Sequence, residues 1–211
     1  MPTARLPRPP SADRRRVVVA LAALCADAIV SVRTANAAAF DLEALTALLA
    51  RVRSGEATFV ETRRIEMLDR TLTSSGRLSF KAPDVFVRET LKPRREKLAV
   101  DGNTLTMSIG ERSRTLQLDA SPEASVVVEA IRGTLTGNRA ALERLFEPHV
   151  DGDAKSWTLE LVPRDLRLRG QVASVRVAGR ESTVREVRVL LADGDHSVMT
   201  IEPVAPGRAA P

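Results

Sequence analysis

The links between strand-like runs set the strongest limit on how this chain can fold, because they are too short for anything but hairpins. The runs ATFVETRRIEML (57–68), TLTSSGRLSF (71–80), DVFVRETL (84–91), EKLAVDG (96–102), NTLTMSI (103–109) and RTLQL (114–118) follow one another almost without pause. A parallel crossover takes a dozen residues or more, so neighbours in sequence are expected to be antiparallel neighbours in space. The links carry turn chemistry: Pro83-Asp84, Lys92-Pro93-Arg94-Arg95, Asp101-Gly102-Asn103 and Gly110-Glu111. Pro83 and Pro93 sit at strand boundaries, where a missing N–H costs little, and cut the ribbon into segments of matched length.

Helical patterns flank and interrupt these runs. In DLEALTALLARVRSG, Leu42, Leu45, Leu48, Leu49 and Val52 recur at helical spacing, with Asp41 placed to cap and Gly55 placed to stop. After the sixth run, Ser121-Pro122 opens PEASVVVEAIRGTL, Gly137 ends it, and Asn138 can cap RAALERLF. Strands resume with SWTLELVP, QVASVRVAG, STVREVRVLLADG and HSVMTIEPV, the last two joined at Asp193-Gly194-Asp195. The expected class is α+β, mainly β, with about ten or eleven antiparallel strands. A sheet that wide tends to curl. An unclosed antiparallel β-barrel, with an N-terminal helix and a helical lid inserted mid-chain, is the expected architecture.

Period-two alternation gives each strand an aliphatic side and a wet side. The aliphatic sides carry Phe59, Leu78, Phe80, Phe86, Leu98, Val100, Leu105, Met107, Leu116, Trp157, Leu159 and Met199. Two interpretations fit this pattern: a packed core beneath the helices, or an apolar cavity that these twelve residues line. Methionine at 107 and 199 suits either, as filler or as a surface for variable chains.

Charge narrows the function classes. The chain carries a formal +5, but residues 1–37 hold six arginines against Asp13 and Asp27, a net +4, which leaves +1 for the rest. The basicity belongs to the leader, and aromatics are only 3 % with no tyrosine, so no nucleic-acid partner is expected. The leader reads as a cleavable signal peptide, residues 1–37: basic DRRRV, apolar VVVALAALCADAIVSV, then the small-residue site Ala35-Asn36-Ala37. Residues 38–203 then form one domain, 204–211 a disordered tail, and the expected location is the periplasm. Cys25, the only cysteine, leaves with the leader.

Catalytic residues are not expected. Only His149 and His196 are present, and adjacent residues of Asp195-His196-Ser197 point to opposite faces of a strand, so they cannot form a triad. Asp193 and Asp195 are too few for a calcium loop, and neither metal nor other cofactor is expected. Two basic clusters, Lys92-Arg94-Arg95 and Arg164-Arg167-Arg169, are either solvated turns or docking points for anionic head groups.

The order of the pieces resembles a known family. A helix leads into Ala57-Thr58-Phe59-Val60-Glu61, then Ser75-Gly76-Arg77-Leu78-Ser79-Phe80, Ala82-Pro83-Asp84-Val85-Phe86, Pro93 and Val100-Asp101-Gly102. Helices over 122–146, Trp157-Thr158-Leu159-Glu160-Leu161-Val162-Pro163 and the Asp193-Gly194-Asp195 hairpin extend the likeness to about residues 40–203. This succession is similar to that of the LolA-type periplasmic lipoprotein carriers, in a divergent branch. The resemblance implies a half-barrel whose apolar interior holds the acyl chains of a lipidated protein or related lipid. It also implies a monomer, without enzymatic activity, that takes cargo from an inner-membrane donor complex to an outer-membrane acceptor. Leu135, Leu142 and Leu145 become candidate plugs of the lid, or equally its ordinary core face. The family's lid-holding arginine stands just before the proline of the third strand, where this chain has Ala82; Arg88, at a position usually aromatic, is the candidate substitute. A related class, the lipoprotein-sensing regulatory modules of the envelope, uses a similar half-barrel, typically with an added domain; none is expected beyond about residue 203, and regulation by the half-barrel alone stands as the alternative to carriage.

Overall fold

The computed structural model describes residues 40–204, so the proposed signal peptide and all of the proposed tail but Val204, whose N–H donates to the Glu56 carbonyl at 2.9 Å, lie outside the described residues. Helix α1, Leu42–Leu49, opens the fold, and the Ala44 N–H donates to Asp41 Oδ1 at 2.9 Å, the cap expected from the sequence. The helix ends earlier than its pattern suggests. Ala50 closes it, and Gly55 is no terminator but already strand, opposite Phe80.

Six strands then run back and forth: β1 Ser54–Ile65, β2 Arg70–Lys81, β3 Val85–Lys92, β4 Glu96–Asp101, β5 Thr104–Ile109 and β6 Arg112–Gln117. Pro83 and Pro93 fall in the β2–β3 and β3–β4 turns. Helices α2, Pro122–Thr136, and α3, Arg139–Leu145, follow. Gly137 ends α2 in the left-handed conformation at φ 63°, and Asn138 Oδ1 accepts from the Ala141 N–H, capping α3 as expected. Ser121 precedes Pro122 as expected but makes no side-chain capping bond.

The second set of strands is β7 Phe146–Asp153, β8 Ser156–Pro163, β9 Val172–Arg180, β10 Thr183–Leu191 and β11 His196–Pro203, with a short helix α4, Leu166–Arg169, between β8 and β9. All eleven strands form one antiparallel sheet in the order β6-β5-β4-β3-β2-β1-β11-β10-β9-β8-β7. Hairpins account for every neighbour except β1 and β11, which zip the two sets together from Ala57↔Pro203 to Arg64↔His196. The sheet is not closed into a barrel; β6 and β7 are its edges.

Strand β7 has no counterpart among the strands expected from the sequence, which assigned Phe146 to the preceding helix. Its run FEPHVDGD carries Pro148, Gly152 and three acids, all poor strand formers. An edge strand tolerates them, because one of its rims makes no ladder bonds.

Candidate functional site

Residues directly opposite one another in an antiparallel ladder share a face. One row across the sheet is therefore Phe80–Phe86–Val100–Leu105–Leu116, and the next is Leu78–Arg88–Leu98–Met107–Arg114. Phe59 opposes Ile201, and the row Glu61–Met199–Val187–Val177–Leu159 crosses to the far half, where Trp157 opposes Gly179. All twelve residues singled out in the sequence thus project from a single face. The helices cover that face, which is here termed inner; the outer face carries Thr58, Arg77, Lys97, Thr106 and Glu160.

Coverage of the inner face is uneven. Under α1, α2 and α3, the residues Trp157, Leu159, Leu161, Val172, Val175 and Val177 are buried in one cluster with Leu45, Leu49, Val126, Ala130, Leu142 and Phe146. The Trp157 indole Nε1–H donates to the Glu181 carbonyl at 2.8 Å, so this large ring leaves no polar atom unmet. Here the packed-core interpretation holds for Trp157 and Leu159. On the other half the buried cluster is small: Val100, Leu105 and Leu118, with Phe86, Leu98, Leu116, Ala124 and Val128 against it. Leu78, Phe80, Phe86, Leu98, Leu116 and Met199 are half-buried, whereas Met107 is 41 % exposed and Ile109 40 %. Phe80 and Phe86 stack with centroids 5.2 Å apart.

Near the seam the inner face is polar. Arg88 Nη2 donates to Glu61 Oε2 at 2.5 Å and to Ser74 Oγ at 3.2 Å, and its guanidinium lies 4.7 Å from the centroid of Phe59. Gly76 lies opposite Phe59 on β2, at a bulge between β2 and β3. It must be glycine: a Cβ there would fall 1.9 Å from the Glu89 carbonyl oxygen.

These contacts revise the expectation for Arg88. Its partners Glu61, Ser74 and Phe59 are all strand residues, so it braces the floor of the inner face and not the helices. An arginine that does join helix to sheet is Arg132 on α2, which donates to the Gly102 carbonyl in the β4–β5 turn at 2.5 Å and pairs with Glu129. Sequence reasoning missed it, because Glu129 and Arg132 at i, i+3 look like an ordinary surface pair. Leu142 is fully buried and Leu145 packs against the same cluster; Leu135, on α2, is half-buried outside both clusters.

The two basic clusters divide as well. Arg164 Nε donates to the Glu143 and Phe146 carbonyls, and Arg169 to the Pro163 carbonyl and Glu147, so this pair ties α3, β7 and β8 together. Arg94 pairs with Glu96 and lines a groove of about 640 Å³ along β5 and β6, with Met107, Ile109, Arg112, Arg114, Leu116, Ala120 and Ser121. A smaller hollow of about 370 Å³ is built largely of outer-face residues, including Glu56, Arg77, Ser79, Val87 and Glu89. Among the described residues, no three His, Cys, Asp or Glu side chains gather as a metal site. His196 and Ser197 do fall on opposite faces, since His196 pairs with Arg64 and Ser197 with Arg63.

An open antiparallel sheet with one apolar face and helices laid over part of it defines a half-barrel binding fold. Residues 34–210 match the family described as outer membrane lipoprotein carrier protein LolA-like, and the chain belongs to that family. Among solved structures, it is similar to the LolA superfamily protein NE2245 from Nitrosomonas europaea at 12 % identity, covering 81 % of this chain and 94 % of that one, with a TM-score of 0.42. A DUF1329 family protein from Desulfovibrio piger is similar at 11 % identity over 81 % and 93 %, TM-score 0.45. A structure of the Pseudomonas aeruginosa MucA/MucB complex is similar at 14 % over 81 % and 58 %, TM-score 0.43. No curated protein matches the sequence.

Proposed function

We propose that this protein is a periplasmic carrier that shelters the acyl chains of a lipidated protein or related lipid against its inner face. It takes this cargo from an inner-membrane donor to an outer-membrane acceptor and performs no covalent chemistry. Membership of the LolA-like family supports the reading, since that family is named for lipoprotein carriage. The observation that carries it is the uneven cover: the helices bury one half of an apolar face and leave Met107 and Ile109 about 40 % exposed on the other.

The energetics suit a shuttle. Burying a methylene is worth about 0.8 kcal/mol, so a sixteen-carbon chain is held in a membrane by about 12 kcal/mol. A carrier must offer comparable apolar area and still let go. A helical lid that settles onto the same face when cargo leaves supplies the opposing term.

The test is native mass spectrometry of the full chain, exported to the periplasm and gently purified. The expected spectrum shows an added mass that fragments to an acylated species. A bare protein mass that takes up no lipid from an envelope extract would refute carriage and favour a regulatory module.

A further inference from the structure

The groove along β5 and β6 has a chemistry that the rest of the inner face lacks. Its floor is Met107, Ile109, Leu116 and Ala120, and three arginines, Arg94, Arg112 and Arg114, stand around it. Arg94 is taken by Glu96, with bonds of 2.7 and 3.1 Å. Arg112 and Arg114 make no hydrogen bond or ion pair among the described residues. Two further acids, Glu111 at the β5–β6 turn and Asp119 beside Ala120, are exposed and pair with neither arginine. Two guanidinium groups therefore face a groove whose lining includes no carboxylate, and Glu96, opposite Ile109 on the same face, is engaged by Arg94.

Their direction follows from register. Arg112 opposes Ile109 and Arg114 opposes Met107, so both project from the inner face, two residues and about 6.6 Å apart along β6. Arginine on an edge strand also discourages pairing with other sheets. That role asks only for charge somewhere along the strand, and it does not explain why both arginines point over an apolar floor. The floor is moreover continuous with the apolar row Leu116–Leu105–Val100–Phe86–Phe80. A volume of about 640 Å³ lies within the range of small-ligand pockets.

We infer that this groove is the headgroup site of a phosphate-bearing acyl lipid. Arg112 and Arg114, neighbours on the same face of β6, grip the phosphate together with the forked geometry for which arginine is suited. The first methylenes lie over Met107, Ile109 and Leu116, and the chain continues toward Phe86 and Phe80. The inference rests on the acyl-binding reading above and adds to it a preference for anionic over uncharged cargo.

The experiment titrates the full chain with monomeric dodecyl phosphate, dodecyl maltoside and inorganic phosphate, using the wild type and the R112Q/R114Q double variant. Both arginines are exposed on an edge strand, so the variant is expected to keep the wild-type unfolding midpoint. The expected result is dodecyl phosphate binding at least tenfold tighter than dodecyl maltoside, with the difference abolished in the variant and reduced by salt. Equal affinities that the variant does not alter would overturn the headgroup site and leave the carrier reading standing. Binding of neither amphiphile would bring down both. Competition by inorganic phosphate as effective as that of the amphiphile would identify a free-anion site instead. Association with phosphatidylglycerol vesicles, lost in the variant while the monomer fails to bind, would make the patch a membrane contact and overturn the lipid pocket.

Discussion

Strands β8 and β5 have the same kind of sequence and opposite fates. In β8, SWTLELVP, the residues Trp157, Leu159, Leu161 and Pro163 are buried in strict alternation, roofed by the helix layer. In β5, TLTMSI, the alternation Leu105, Met107, Ile109 is just as clear, yet only Leu105 is buried and the next two stand exposed. One half of the sheet spends its apolar face on stability, and the other keeps part of it open. The difference lies in what the helices reach. α2 contributes Val126, Val127, Ala130 and Ile131 to the covered half but only Ala124 and Val128 to the open one, and Arg132 fastens its far end to the β4–β5 turn.

The comparison predicts, first and most strongly, that equal truncations will have unequal costs. Leu159→Ala is expected to destabilise by about 3 kcal/mol, because Leu159 has no exposed surface and its neighbours cannot collapse into the space. Leu116→Ala, half-buried near the edge, is expected to cost about 1 kcal/mol or less. Urea unfolding of the two variants measures the gap, and similar midpoints would show that the halves are equally packed.

Next in size is the fastening of α2. Arg132→Ala removes the bond to the Gly102 carbonyl and is expected to cost about 1–2 kcal/mol, since a cation contributes one side of it. Hydrogen exchange sharpens the test: α2 and the β4–β5 turn should exchange faster while β8 and β9 stay protected. Uniform acceleration across the sheet would mean that Arg132 serves global stability and not the lid. A smaller effect is expected at the seam. Arg88→Ala leaves Glu61, whose side chain is only 14 % exposed, without its cation, and a loss of about 1 kcal/mol is expected in the same unfolding assay. Because Arg88 contacts strands, exchange in α2 should not change; acceleration there would restore Arg88 to the lid.

Faces were legible in the sequence and coverage was not. Alternation assigned Leu98, Met107, Trp157 and most of the others to apolar sides, less clearly Phe59, which shares its side with Glu61, and Phe86, which Val85 and Val87 oppose; register joined those sides into one because every ladder here is antiparallel and nearly in step. Nothing in WTLEL or LTMSI says which will lie beneath a helix, since that depends on contacts remote in the chain. β7 was hidden for a related reason: Pro148 and Gly152 are read locally as strand breakers, and only its edge position makes them harmless. Gly55 misled in the other direction, because a glycine after a helical pattern signals a cap and here serves β1 instead. Arg132 was invisible because its acceptor is a backbone carbonyl thirty residues away, to which no sequence pattern points.

The smallest expected effect on stability sits where the proposed effect on function is largest. Met107 is 41 % exposed on the open half of the inner face, so Met107→Gln should change unfolding by no more than about 0.5 kcal/mol. The same substitution places an amide in the path of an acyl chain. Losing about 1 kcal/mol of apolar contact weakens binding about fivefold, which a titration with dodecyl maltoside resolves. Val60→Gln is the matched control, since Val60 is 53 % exposed but projects from the outer face, opposite Ser75 and Thr200. If Met107→Gln weakens binding and Val60→Gln does not, the open half of the inner face is a binding surface. If the two variants behave alike, the exposure of Met107 has no more meaning than that of any apolar side chain on a protein surface, and the contrast between the two halves concerns packing alone.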